Sequence, residues 1–229
     1  MKNARIILVL LLALAVRPAA AQPVVSAYFV NSSLYDTKSA AQGGFSGFQG
    51  DLMWHFAFNR FLGVNLGGGY LWLNRSEEPF VLNDRAAERY TREQHIRIPM
   101  HFIIDIPITQ GFGFQLWLGG VGSAAISGVN VLSFRTTSGT GLVQHDYYSG
   151  IDGRKGVTDE EHAMAVPSLS TSPDMKRFDL AAEAGVGIRI SSFVMVRGGY
   201  TYGVFNRYKK AQDGFVRRNQ INAGITLLF

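Results

Sequence analysis

The 229-residue chain contains no cysteine, so it has neither a disulfide framework nor a cysteine metal site. Charged residues are scarce at 17%, and hydrophobic ones make up 47%, which excludes an intrinsically disordered chain. The 26 glycines follow no three-residue period, so collagen is excluded as well. No apolar run reaches the roughly 18 residues that a spanning helix requires. The longest is Ile6 to Val16, near the N-terminus.

That run reads as an export signal. Lys2 and Arg5 supply the positive flank, Ile6 to Val16 the apolar segment, and Ala19-Ala20-Ala21 a small-residue cleavage site before Gln22. A cleavable signal peptide over residues 1–21 is therefore expected. No cysteine follows the site, which excludes a lipoprotein. Removing Lys2, Arg5 and Arg17 from the 22 basic residues leaves 19 against 17 acidic ones, a mature net charge of only +2. The high isoelectric point is thus no argument for nucleic acid, and none is expected as a partner.

Beyond Gln22 the chain alternates between apolar and polar residues. In His95 to Ile106 the even positions are Ile96, Ile98, Met100, Phe102, Ile104 and Ile106. The odd positions His95, Arg97, Pro99, His101 and Asp105 are mostly polar, with Ile103 the apolar exception. Phe48, Leu52, Trp54, Phe56 and Phe58 oppose Gln49, Asp51, Met53 and His55 in the same way. From Phe178 to Ile190 the apolar residues again occupy one side, with Arg177, Asp179, Glu183 and Arg189 on the other. A period of two marks a strand with one apolar face. Further strands are predicted over Phe61–Asn74, Phe112–Ser127, Phe193–Asn206 and Val216–Phe229. A first strand near Val24–Asn31 is less clearly patterned. The total is eight, and most are longer than the usual five or six residues of soluble sheets.

The connections alternate in length. Residues 58–61, 107–111 and 191–192 are tight turns, whereas Ser32–Gly44, Arg75–Gln94, Gly128–Lys176 and Arg207–Phe215 are long. This is the plan of an all-β, eight-stranded, antiparallel up-and-down transmembrane barrel in a bacterial outer membrane, over residues 22–229. Lipid cannot satisfy open strand edges, so the sheet must close. Trp54, Tyr70, Trp72, Tyr200 and Tyr202 are candidates for interfacial girdles. The ending Ile225, Leu227, Phe229 resembles the C-terminal signal read by the barrel insertion machinery.

Arg97-Ile98-Pro99-Met100-His101-Phe102, Phe114 to Gly120, and the double strand from Asp179 to Tyr202 around Gly185-Val186-Gly187 carry a family likeness. Over about Phe45 to Phe229 the chain resembles the PorT-like outer-membrane β-barrels of Bacteroidota. The resemblance implies an eight-stranded barrel and, through one member tied to protein secretion, an accessory role in secretion or envelope assembly. The long Gly128–Lys176 link departs from the family pattern.

Pro99 cannot donate to a ladder, so a bulge is expected there. His95 and His101 share a face but lie six residues apart, about 20 Å along a strand, too far to chelate one ion. No catalytic, metal or cofactor motif is present, and no cofactor is expected. The acidic run Asp159-Glu160-Glu161 and Asp152 in the longest loop lack calcium-loop spacing and read as a solvated face. The inward registers collect Asp51, Arg97, Asp105, Arg177, Asp179, Glu183, Arg189, Arg197 and Arg218. These are expected to pair into a network that fills a narrow lumen. The function expected is non-enzymatic, structural or binding, through surface loops. Its partners would be outer-membrane lipid and lipopolysaccharide, the insertion machinery, and a protein at the loops. The alternatives are a lipid-A-modifying barrel enzyme and a small-solute channel.

Overall fold

The computed structural model describes residues 21–36, 42–82, 84–136, 139–169, 175–209 and 214–229. The expected signal peptide lies outside them except for Ala21. The strands are β1 (Gln22–Asp36), β2 (Gln42–Ala57), β3 (Leu62–Ser76), β4 (Phe80–Leu82), β5 (Arg85–Pro107) and β6 (Gly113–Thr136). They continue with β7 (Gly139–Asp146), β8 (Ile151–Lys155), β9 (Phe178–Arg189), β10 (Val194–Gly203) and β11 (Val216–Leu228). One helix, α1 (Asp159–Leu169), lies between β8 and β9. All strand pairings are antiparallel.

The sheet closes on itself. Pairing runs β5-β3-β2-β1-β11-β10-β9-β6, and β6 returns to β5. β4, β7 and β8 hang from this ring as short extensions. The turns β2–β3, β5–β6 and β9–β10 all fall at one end, together with the start of β1 and the end of β11. At that end Phe229 N donates to Pro23 O at 3.1 Å. Each turn is held by a side-chain acceptor. Asn59 Oδ1 takes Phe61 N at 2.8 Å and Leu62 N at 2.9 Å. Thr109 Oγ1 takes Phe112 N at 3.0 Å, and Ser191 Oγ takes Val194 N at 3.1 Å. Short polar side chains that bond to nearby backbone are what tight turns select.

The two faces of the ring differ in chemistry. Outside, the alternate positions of β5 (Ile96, Ile98, Met100, Phe102, Ile104, Ile106) are all exposed. Inside, Asp51, Arg97, His101, Gln115, Glu183, Arg197 and Thr226 are buried. This is the inverse of a water-soluble sheet, which buries its apolar face. Along β9 the outward apolar positions run from Phe178 to Ile190. At about 3.3 Å per residue and a tilt near 40°, they make a band about 30 Å tall.

Three expectations need correction. Pro99 does not cause a bulge: it keeps register opposite Val121. On its other side the ladder to β3 lapses between Leu66↔Met100 and Gly69↔Arg97 without a shift, because proline has no donor to offer there. The bulge lies higher, where Gln94 pairs Ser127 but His95 pairs Ala125, so Ile126 is the extra residue. It flips the faces of upper β6 and turns Leu132 and Phe134 into a second core.

The second correction concerns the Gly128–Lys176 link, which is not an appended loop. Residues Gly128–Phe134 continue β6 against Ala87–Glu93 of β5. β7, β8 and α1 complete a small lobe, with Ala87, Leu132, Phe134, Val143, Ala165 and Leu169 at its centre. The third concerns Arg177, which precedes β9 and is exposed rather than inside the ring.

Candidate functional site: the interior charge network and its plug

Because inward residues recur every second position, neighbouring strands stack their polar side chains inside the ring. At the turn end Arg189 Nη2 meets Asp105 Oδ1 at 2.9 Å, and Gln115 Nε2 donates to the same oxygen at 3.1 Å. His55 Nδ1 and Asn65 Oδ1 are 2.7 Å apart. These groups line an open-mouthed cavity of about 320 Å³.

In the middle, Glu183 is the hub. It accepts Arg97 Nη2 at 2.6 Å and Thr201 Oγ1 at 2.7 Å, and lies 2.8 Å from His101 Nε2. Arg97 Nε is 3.4 Å from Asp51, and Gln49 bridges the two by donating to Asp51 at 2.7 Å and accepting from Arg97. Trp117 lies between His101, with ring centroids 4.6 Å apart, and Arg197, whose guanidinium is 5.0 Å from its centroid. Space for the indole comes from glycine: a Cβ on Gly185 or Gly199 would fall 2.4 Å from Trp117 Cζ2. Beside this hub lies a small void of about 20 Å³, lined by Arg97, Thr201 and Arg218 among others.

Toward the loop end a second hub forms on Glu93. It accepts from Arg218 and from Arg207 Nη2 at 3.2 Å, and His95 Nε2 is 2.8 Å away. Arg207 also donates to Tyr148 Oη at 2.8 Å and lies 3.9 Å from Asp179. Arg207 and Tyr148 belong to the connections after β10 and β7. They descend into the mouth of the ring and plug it, together with Tyr147, Tyr208, Met175 and the apolar residues Val30, Leu34 and Leu73. Burial pushes the Tyr148 hydroxyl up to about 12, reinforced by the Glu93 carboxylate nearby. Burial likewise opposes charging of Arg207, but Glu93, Tyr148, Asp179 and Tyr147 together outweigh it and hold that guanidinium's pKa above its usual value.

Of the nine charges expected to pair on the inward registers, Asp51, Arg97, Glu183, Arg197 and Arg218 are buried in the ring, and Asp105, Asp179 and Arg189 are partly so. Arg197 does not join the pairing, because its guanidinium lies over Trp117 with none of its three nitrogens hydrogen-bonded to a described residue. Arg177 instead lies above, its guanidinium 5.7 Å from the Tyr148 centroid. Two members are additional. Glu93 shares the register of His95 and Arg97, so extending that alternation by two residues would have found it. Arg207 lies in a connection and carries no periodic signal. With Glu93 and Arg207 counted and Arg177 removed, five arginines face five carboxylates in the interior.

Outside the ring, Ile225, Leu227 and Phe229 point outward and are exposed. In the lobe the acidic run opens α1. Glu161 and Thr158 form a reciprocal cap, Glu161 N to Thr158 Oγ1 at 3.2 Å and Thr158 N to Glu161 Oε2 at 3.0 Å. That backbone bond, with Arg85 beside it, lowers the Glu161 pKa. Asp152 pairs with His145 at 2.7 Å. Among the described residues, no three histidine, aspartate or glutamate side chains converge as a metal site would require.

No protein-family model matches the chain, and no curated protein matches it. Among solved structures, it is similar to Ail, the attachment invasion locus protein of Yersinia pestis (TM-score 0.46, 14% identity, 91% of this chain and 99% of that one). It is also similar to Neisserial surface protein A (0.40, 13%, 90% and 97%). A third is the translocator domain of the autotransporter NalP from Neisseria meningitidis (0.31, 9%, 100% and 95%). Ail and Neisserial surface protein A are small outer-membrane β-barrel proteins. These likenesses are distant, and the functional reading stands on the chain's own geometry.

Proposed function

We propose that the chain is an exported, eight-stranded outer-membrane barrel with a closed interior. It acts without catalysis, by presenting its loop-end lobe to a partner. The observation that carries this reading is the closed ring with an apolar belt outside and a buried charge network inside, in which every described charge but Arg197 has a polar or ionic partner. A bilayer core about 30 Å thick matches the belt, and only lipid makes exposure of such a belt favourable. The signal-like residues 1–21 supply the route out of the cytoplasm, and the Ile225-Leu227-Phe229 ending supplies an address for insertion. The filled middle and plugged mouth favour a scaffold over a small-solute channel. The folded lobe of β4, upper β5 and β6, β7, β8 and α1 is the surface that a binding function would use. An accessory role in secretion or envelope assembly follows from the PorT-like strand motifs alone.

The test is residence. The mature chain should stay with outer membranes through carbonate and high-salt washes, and unheated samples should migrate differently from boiled ones. Release by carbonate, with identical migration before and after boiling, would refute it.

A further inference from the structure

The lipid-facing side of β11 carries one cation. Its outward register reads Arg217, Asn219, Ile221, Ala223, Ile225, Leu227 and then Phe229. Twelve residues separate Arg217 from Phe229 at the turn end. At about 3.3 Å per residue and a tilt near 40°, Arg217 stands about 30 Å above Phe229, at the opposite boundary of the apolar belt.

Arg217 is flanked by two aromatic rings. Its guanidinium lies 4.9 Å from the Tyr35 centroid and 4.4 Å from the Tyr202 centroid, and Nη1 donates to the Tyr202 hydroxyl. Both tyrosines are exposed, as residues at a membrane boundary are. Arg217 forms no ion pair with any described residue. Its Nε, like Asn219 Oδ1 one step below, is enclosed without a hydrogen-bond partner. Flanked by the two rings, with Nη1 on the Tyr202 hydroxyl and Nε enclosed, the guanidinium keeps Nη2 for an anion, and a guanidinium N–H suits phosphate.

We propose that Arg217, Tyr35 and Tyr202 form a receptor for the phosphate of a lipid headgroup in the outer leaflet. The inference rests on the membrane reading above, because it needs Arg217 at the headgroup plane. The tyrosines fix the guanidinium by cation–π contact and offer hydroxyl donors to the same phosphate. Bound lipid would then hold this seam of β1, β11 and β10 against the bilayer surface.

The experiment uses the full mature chain, refolded in dodecyl maltoside micelles, which carry no phosphate. The probe is bisphosphorylated lipid A, compared with the same lipid stripped of phosphate and with inorganic phosphate alone. Retention of lipid through gel filtration is measured for the wild type, R217Q and R217K. The wild type should retain phosphorylated lipid A, and R217Q should retain about tenfold less, the loss of one charge-assisted contact. R217K should fall between them, since it keeps the charge without the stacked plane. The dephosphorylated lipid should not be retained. Equal retention by R217Q and the wild type, both showing the heat-dependent shift, would overturn the receptor and leave the membrane reading intact. Binding of inorganic phosphate as strong as that of lipid A would overturn the lipid assignment. Absence of the heat shift in the wild type would instead defeat the membrane reading.

Discussion

Glu183 and Glu93 are the two residues on which the interior turns, and they are not equivalent. Glu183 ties three strands of the ring wall through Arg97, His101 and Thr201. Its removal leaves Arg97 buried with a weakened set of partners, and an uncompensated buried charge costs about 3–5 kcal/mol. Glu183→Ala should therefore lower the temperature at which the unheated band is lost, whereas Glu183→Gln, which keeps Thr201 as a donor, should cost less. An unchanged midpoint for Glu183→Ala would mean that water solvates Arg97. Glu93 instead joins the wall to the plug, so Glu93→Ala should loosen the connections that carry Arg207 and Tyr148 and leave Arg218 of the wall with His95 as its one hydrogen-bond partner among the described residues. Protease susceptibility at the loop end, with the heat shift retained, would report it.

Tyr148 adds a pH signature at the same place. Its folded pKa of about 12 lies above the ordinary phenol value of 10.0, so the protein favours the protonated phenol. The stabilisation is complete below about pH 10 and is lost as pH rises through about 12. Absorbance of ionised tyrosine should show a delayed component in the folded protein, and Tyr148→Phe should diminish it, leaving the contribution of Tyr147, which burial also pushes up.

At the scale of elements, legibility in the sequence depended on what fills each stretch of the interior. β5 and β9 were readable because their inward residues are polar and their outward ones apolar. β1 was not, because most of its inward residues (Val24, Tyr28, Val30 and Leu34, against Ser26 and Ser32) are apolar too, three of them packing against the plug. Alternation disappears when both faces are greasy, although the strand itself runs from Gln22 to Asp36. The same cause hid upper β6: after the Ile126 bulge its faces exchange roles, and a single-period reading stops at Ser127. Glu93 was missed because the strand was started at His95, ten residues after β5 begins at Arg85, and Arg207 because plug residues obey tertiary contacts and not a period.

The lobe therefore divides into parts with different consequences. Replacing residues 150–170 by a Gly/Ser link removes β8 and α1 but spares the upper β5–β6 ladder and Tyr148. It should leave the heat shift intact while abolishing partner binding. Replacing all of Gly128–Lys176 also strips β5 of its partner from Ala87 to Glu93 and removes the Tyr147-Tyr148 stopper. That variant should insert less efficiently and melt lower. Within α1, Thr158→Ala removes the cap and should cost the helix about 1 kcal/mol, read as lost helical circular dichroism or faster amide exchange in the first turn.

For the whole molecule the two faces of the ring make complementary demands. A narrow ring of this size holds side chains and not a water column, and its five arginines and five carboxylates need no mobile counterion to balance them. Planar bilayers containing the protein should show no steady unitary conductance, and Glu93→Ala, which frees the plug, is the variant most suited to reveal one.

The central claim is that the apolar face looks at lipid and the charged face looks inward. The chain has no cysteine, so single spin labels can be placed anywhere on it. Labels at Leu180→Cys, Ala182→Cys, Ala184→Cys, Val186→Cys and Ile188→Cys in lipid vesicles should be open to oxygen dissolved in the bilayer and shielded from a water-soluble paramagnet. A label at Ala181→Cys, between them on the inward register, should show low access to both. Accessibility to oxygen should therefore alternate with a period of two along β9. A flat profile, or water-soluble reagent reaching Leu180 through Ile188, would contradict the account.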